Sequence, residues 1–347
     1  MMKTVFLTIA LLVPGLAYGG NPSANLSVQV IPAGNASTCD AIMGQAATDA
    51  ATAGFNTCAL YNDFTTAIPN SVGTGLPSNW LDCNLDGSTS AVWYWGFRLF
   101  ENSSNALPCT GHVDWNVVDP TYGNYALRFT LTDSDISAYS FPASGMETTN
   151  MNGSNPVPGP GQYPYAYYEW TVRYDNTAPG GFDNAFWSWI TPVAETLAGQ
   201  SSYLLELDFT ESYGWVGSPA TDAGINQWGP SGRIDYRLLS TNAGLPLTAY
   251  HTWGSLFTGD GGNNFSVCSY VDGVRKACVP WSYSANGENL QRRYLMAWLA
   301  CGATCNSFGT AHQYIKSIKV LTCASWTQVG SPGMCNGSAL NGSGFYQ

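Results

Sequence analysis

The stretch Glu206-Leu207-Asp208-Phe209-Thr210-Glu211 sets three carboxylates within six residues, in a chain of which only 10% is charged. Leu205, Leu207 and Phe209 alternate with Glu206 and Asp208, the period of a strand with one apolar and one polar face. On a regular strand Glu206 and Asp208 share a face and Glu211 points away. One extra residue at Thr210, a β-bulge, would turn Glu211 back to join them. Like charges lined up on one face repel, so at least one of the three should keep its proton to unusually high pH, as a general acid requires. The same alternation also suits a solvated edge strand whose charges discourage aggregation. Trp187, Trp189, Tyr213 and Trp215 flank the stretch with flat apolar surfaces, which bind the C–H faces of sugar rings as readily as they pack a core.

Such a strand needs a scaffold, and the composition points to one. The chain has 347 residues, 38 of them glycine, 14% aromatic and with few Lys, Arg or Glu. That is the profile of many strands joined by turns, and no long helical period runs through the centre. About 330 mature residues suffice for one large sandwich with decorated loops. The start reads as a signal peptide over residues 1–19: Lys3, an apolar run from Val5 to Val13, then Ala17-Tyr18-Gly19 as a cleavage site. No apolar run is long enough to span a bilayer. An N-terminal segment (20–56), a sandwich (57–323) and a tail rich in Gly, Ser and Asn (324–347) follow.

All ten cysteines lie after the cleavage site, and an even count in an oxidising compartment implies disulfides that staple the loops. Cys268 and Cys278 flank the Asp272-Gly273 turn and would face each other across a hairpin carrying one bulged residue. Cys39 and Cys58 bracket the Ala-rich stretch Ala41 to Ala53, the best short helix candidate. Cys301 and Cys305 could bond to one another or to separate partners. No C-x-x-C pair supports a metal site. Seven Asn-x-Ser sequons, at Asn25, Asn35, Asn102, Asn152, Asn264, Asn336 and Asn341, agree with secretion. No G-x-S-x-G elbow or phosphate-cradling glycine motif is present. A net charge of −11 argues against nucleic acid and anionic membranes as partners.

Between about residues 125 and 323 the order of segments resembles glycoside hydrolase family 16. Asn124 to Phe129 looks like the strand before that family's Ser-Gly signature, and Ser144-Gly145-Met146-Glu147-Thr148-Thr149 like the signature. Tyr165 to Arg173, with Glu169 and Arg173, is similar to the next strand, and Gly181 to Ile190 to the segment holding Ala-Phe-Trp. Tyr250-His251-Thr252-Trp253-Gly254, Ser269 to Val274 and Tyr314 to Val320 resemble later strands. The chain departs from the pattern at Asp183-Asn184, where many members have Trp-Pro, and at Met296-Ala297-Trp298-Leu299, where a Leu-Asn-Leu strand is usual.

The resemblance implies an all-β fold, a concanavalin A-like jelly-roll sandwich. On its concave sheet Glu206 would be the nucleophile, Glu211 the general acid and base, and Asp208 the residue between them. His251, whose family counterpart lies near the cleft, joins Trp187, Trp189, Tyr213 and Trp215 as a candidate substrate contact. The bulged spacing is similar to the β-1,3-glucanase and agarase side of the family. The expected activity is thus a secreted, monomeric endo-hydrolase of a β-1,3-glucan or mixed-linkage glucan, or second a galactan. No cofactor is expected, and a structural calcium is not readable from sequence. The rival readings are a lectin-like sandwich without turnover and a structural surface protein.

Overall fold

The computed structural model describes residues 39–65, 94–95, 112–138, 143–147, 151–152, 155–156, 162–163, 165–175, 182–190, 204–213, 220–229, 232–241, 245–259, 264–282, 293–301 and 309–323. In chain order they form α1 (Gly44–Thr52), β1 (Thr57–Asn62), β2 (Tyr94–Trp95), β3 (Val113–Val118), β4 (Tyr125–Thr132), α2 (Asp133–Ala138), β5 (Ala143–Glu147), β6 (Met151–Asn152), β7 (Asn155–Pro156) and β8 (Gln162–Tyr163). There follow β9 (Ala166–Tyr174), β10 (Phe182–Ile190), β11 (Leu204–Tyr213), β12 (Ala220–Gly229), β13 (Gly232–Thr241), β14 (His251–Gly259), β15 (Asn264–Val271), β16 (Val274–Ser282), β17 (Arg293–Cys301) and β18 (Thr310–Thr322). The expected signal segment, Trp215, Cys305 and the tail 324–347 lie outside the described residues.

Two antiparallel sheets stack face to face. The first runs β16-β15-β14-β9-β18-β4-β3, with β1 also on β18. β18 is long enough to pair with β9 along one side and with β4 and β1, end to end, along the other. The second sheet runs β13-β12-β11-β10-β17-β5-β2, with β8 beside β17, and β6 and β7 form a separate short pair. This is the jelly-roll sandwich expected, and β4, β5, β9, β10, β14, β15 and β18 fall on the segments that carried the resemblance.

The sheets meet through alternate, inward-facing aromatics. Trp170 on β9 stacks on Phe186 of β10 at 5.1 Å, and Tyr168 stacks on Phe209 of β11 at 4.4 Å. Leu207, Ile225, Leu295, Ala297 and Leu299 complete this layer, all buried. Such burial of apolar area is the main favourable term in folding.

The first sheet is covered on its other face too, by two separate pieces of chain. One is α1, which buries Ala46, Ala47 and Ala50. It stops where Gly54 adopts φ +76° and the amides of Gly54 and Phe55 donate back to the carbonyls of Ala51 and Ala50, a left-handed stop that suits glycine. The Cys39–Cys58 disulfide ties this segment to β1. Beneath it Lys319 Nζ lies 2.9 Å from Glu169 Oε1 and also donates to the carbonyl of Ala41. Tyr167 donates to the same glutamate at 2.6 Å, and Tyr270 donates to Asp49 of α1 at 2.9 Å. The second cover is the turn after β3, where Asp119 accepts a two-pronged ion pair from Arg173 and a 2.7 Å bond from the Tyr250 hydroxyl. The guanidinium lies over the Tyr314 ring at 4.3 Å.

Cys268 and Cys278 are bonded across a two-residue turn in which Asp272 and Gly273 take φ +49° and +76°, the conformation that Asp-Gly favours in hairpins. The bulge expected there falls between Ser269 and Tyr270 in register. Cys301 and Cys323 are also in disulfides, and no described cysteine is free. One element was not expected: α2, which opens with Thr132-Asp133-Ser134-Asp135. There the Asp135 carboxylate accepts from the Thr132 amide at 2.8 Å while the Thr132 hydroxyl accepts from the Asp135 amide, the reciprocal arrangement of a capping box.

Candidate active site

β11 lies third from the edge of the second sheet, between β10 and β12. Against β12 its register runs Glu206 to Asn226, Leu207 to Ile225 and Asp208 to Gly224, then jumps so that Glu211 stands opposite Asp222. Against β10 it shows the same slip: Trp187 pairs with Asp208, and the next residue back, Phe186, with Thr210. Both neighbours therefore see one residue too many in β11 between Asp208 and Glu211.

The side chains identify how the strand absorbs it. Phe209 faces the first sheet, stacked on Tyr168. Thr210 faces it as well, its hydroxyl accepting from Trp170 Nε1 at 3.3 Å. Two consecutive inward residues put Glu211 back on the outer face with Glu206 and Asp208. Asp208 is 3% exposed, and the glutamates on either side are partly exposed. The bulge expected at Thr210 is thus present, and three carboxylates share one face within a few residues.

The neighbouring strands add no compensating charge. Across β10, β11 and β12 stand Asp183, Glu206, Asp208, Glu211 and Asp222, with no Lys, Arg or His. In register, Asp208 stands between Gly224 of β12 and Trp187 of β10, and Glu211 between Asp222 of β12 and Ala185 of β10. One strand further, Trp298 of β17 pairs with Ala185. A face of this kind can supply one carboxylate to attack an electrophilic carbon and a second to donate and accept a proton. Among the described residues no group of three or more His, Cys, Asp or Glu is arranged to hold a metal ion.

The other candidate residues fare differently. Trp187 occupies the register position beside Asp208, Trp189 pairs with Tyr294, and Tyr213 pairs with Asp183 at the end of β11. His251 is not brought to the acids. It opens β14 in the first sheet, and its Nδ1 lies 2.8 Å from Asp272 Oδ2 in the β15–β16 turn. The same aspartate accepts from the Thr252 amide, so the ring helps to fix that hairpin. Asp222 and Asn226, which stand opposite the two glutamates, were missed in the sequence. Their signal was the alternation of Asp222, Gly224 and Asn226 with Ala223 and Ile225.

No protein-family model and no curated protein matches the sequence significantly. Solved structures do match. LamAcat from Zobellia galactanivorans is 12% identical, with a TM-score of 0.51, over 77% of this chain and 98% of that one. A LamA variant from the same organism, in complex with laminaritriose and laminaritetraose, has the same identity and score over 77% of this chain and 100% of its own. A GlcNAcα1-4Gal-releasing endo-β-galactosidase from Clostridium perfringens has a TM-score of 0.50 at 12% identity, over 77% of this chain and 63% of that one. At such low identity the likeness establishes the β-sandwich they share, and the fold alone.

Proposed function

We propose that this protein is a secreted glycoside hydrolase that cuts within a neutral β-linked polysaccharide. A β-1,3-glucan or mixed-linkage glucan is the first substrate and a galactan the second. Glu206 attacks the anomeric carbon. Glu211 protonates the leaving oxygen and then activates the water that releases the sugar, and Asp208 lies between them as a hydrogen-bonding partner. The observation that carries this reading is the bulge at Phe209–Thr210, by which Glu211 shares the face of Glu206 and Asp208. The laminarin oligosaccharides bound by the LamA variant favour the glucan, and the galactosidase favours the galactan as second choice. Charge favours a neutral polymer: the chain has 12 Lys and Arg against 23 Asp and Glu, and a polyanion would be repelled along an acidic face. The apolar N-terminal run and the disulfides support export.

The test is release of reducing ends from laminarin, lichenan, agarose, xyloglucan and κ-carrageenan. Hydrolysis of a neutral polymer is expected, with turnover lowered about 10² to 10⁴-fold or more in Glu206→Gln and Glu211→Gln and less in Asp208→Asn. A glutamine variant with near-parental activity would sink the assignment, as would a preference for κ-carrageenan that weakens with salt. Sugar binding without turnover in the parent would make the protein a lectin.

A further inference from the structure

The hairpin that joins β3 to β4 carries an exposed apolar tip. Among the described residues five large apolar side chains are exposed, and Val118, Tyr122 and Tyr125, at 54%, 50% and 43%, are three of them. Val118 and Tyr125 stand opposite each other as the last pair of the ladder and so share a face, and Tyr122 sits in the turn between them. The turn is fixed from below. Asp119 accepts from the amides of Thr121 at 2.8 Å and Tyr122 at 3.3 Å, and its own amide and carbonyl bond to Asn124 and Gly123.

The Tyr122 ring is held as well. Arg173 Cζ lies 5.3 Å from its centre, and Tyr250 meets it edge to face at 5.1 Å. One face is turned to the guanidinium, so the half that water reaches is the other. A ring already fixed in place loses little freedom when something binds to it. The tip is also uncharged: over residues 115–127 the one charged residue is Asp119, which is buried and neutralised by Arg173, itself 2% exposed. Residues 245–250, which bring Tyr250, carry no charge, and further along the ladder Asp114 and Arg128 pair with each other. Three side chains are far too few for a stable protein interface, which takes about 20 to 30 residues a side. They are enough for one or two sugar rings, whose C–H faces pack on a flat aromatic surface.

We propose that Tyr122, with Val118 and Tyr125, forms a second, non-catalytic binding site for a neutral β-linked polysaccharide, on the first sheet and away from the acids of the second. This rests on the reading of the protein as acting on such a polymer and adds to it a means of staying on the substrate. A chain held at the tip keeps the acidic face at high effective concentration of the same polymer between cuts. The neutral rim suits an uncharged chain and offers no partner to a sulfated one.

The test is native gel electrophoresis through embedded laminarin, lichenan or κ-carrageenan, with Glu206→Gln as the background so that no chain is cut. Retardation by a neutral polymer is expected, with the dissociation constant raised about two- to tenfold by Tyr122→Ala and restored by Tyr122→Trp, which a merely structural role would not allow. Circular dichroism checks the fold, and Tyr125→Ala, which leaves the Arg173 contacts alone, is the second variant should Tyr122→Ala fail to fold. Equal retardation of the background and of the folded alanine variants overturns the proposal. Stronger retardation by κ-carrageenan that fades with salt also overturns it. So does a self-association, seen by sedimentation, that Tyr122→Ala abolishes while retardation is unchanged, since the tip would then join two copies of the chain. In the parent background, hydrolysis of laminaritetraose should be the same with and without Tyr122→Ala, while hydrolysis of an insoluble glucan falls. A parent that hydrolyses nothing would refute the glycosidase and leave retardation to decide the tip.

Discussion

Glu206 and Glu211 exceed Asp208 by one methylene, and on a shared face that difference decides reach. Side chains stand roughly perpendicular to a sheet and lean along the strand, so two longer acids can converge above a shorter one. Convergence to about 5 to 5.5 Å leaves no room for a water between the carboxyls and implies a covalent sugar intermediate and retention of configuration. Proton NMR of the first products should therefore show the β anomer before mutarotation, and initial release of the α anomer would refute Glu206 as nucleophile. The three acids were legible because their spacing lies within one short strand. His251 was not, since its partner Asp272 comes from a turn twenty-one residues on and only the folded hairpin brings them together. Asp222 escaped notice for a similar reason: a single acid in a strand has no meaning until the register opposite it is known.

At the scale of the element, the bulge is a one-residue device that can be removed. Deleting Thr210 should restore a regular ladder in which Phe209 still faces inward and Glu211 still faces outward. The loss is the acceptor of Trp170 Nε1, a buried donor whose orphaning costs about 1 to 3 kcal/mol. Inserting an alanine between Thr210 and Glu211 should instead displace Glu211 from the outer face and abolish turnover. Melting curves and laminarin assays of the two variants check this, and a folded insertion variant as active as the parent would count against Glu211 acting from the outer face. The strand of the acids was readable from its alternation and the β15–β16 hairpin from its Asp-Gly turn, whereas the other expected strands came through the family resemblance. α2 was not readable, although its Thr-x-x-Asp start was in plain view, because six residues are too few to show a helical period.

For the whole molecule, acid stability is set far from the acids of β11. Burial raises the proton affinity of Asp119, but hydrogen bonds from Arg173, Tyr250 and the Thr121 amide outweigh it and hold the carboxyl at about 2, below its ordinary 3.8. The folded state thus binds this proton less readily than the unfolded chain. The resulting stability, about 2 kcal/mol, is complete above about pH 4 and is lost as pH falls toward 2. Asp119→Asn should cost about 3 to 5 kcal/mol at neutral pH, because it leaves Arg173, 2% exposed, without its counter-charge. Denaturant melts of parent and variant between pH 2 and 7 should show the gap narrowing only in acid, and a constant gap would show that the pair is not responsible. β18 carries a last consequence. Three strands made earlier, β1, β4 and β9, all find their partner in this later one, so the first sheet cannot close before it emerges. Closure of that sheet must wait until β18 (Thr310–Thr322) has been made, and long-range pairing of this kind is slow. The proposed export would suit such a delay, since a sheet that stays open until its locking strand arrives leaves the earlier strands unpaired for passage.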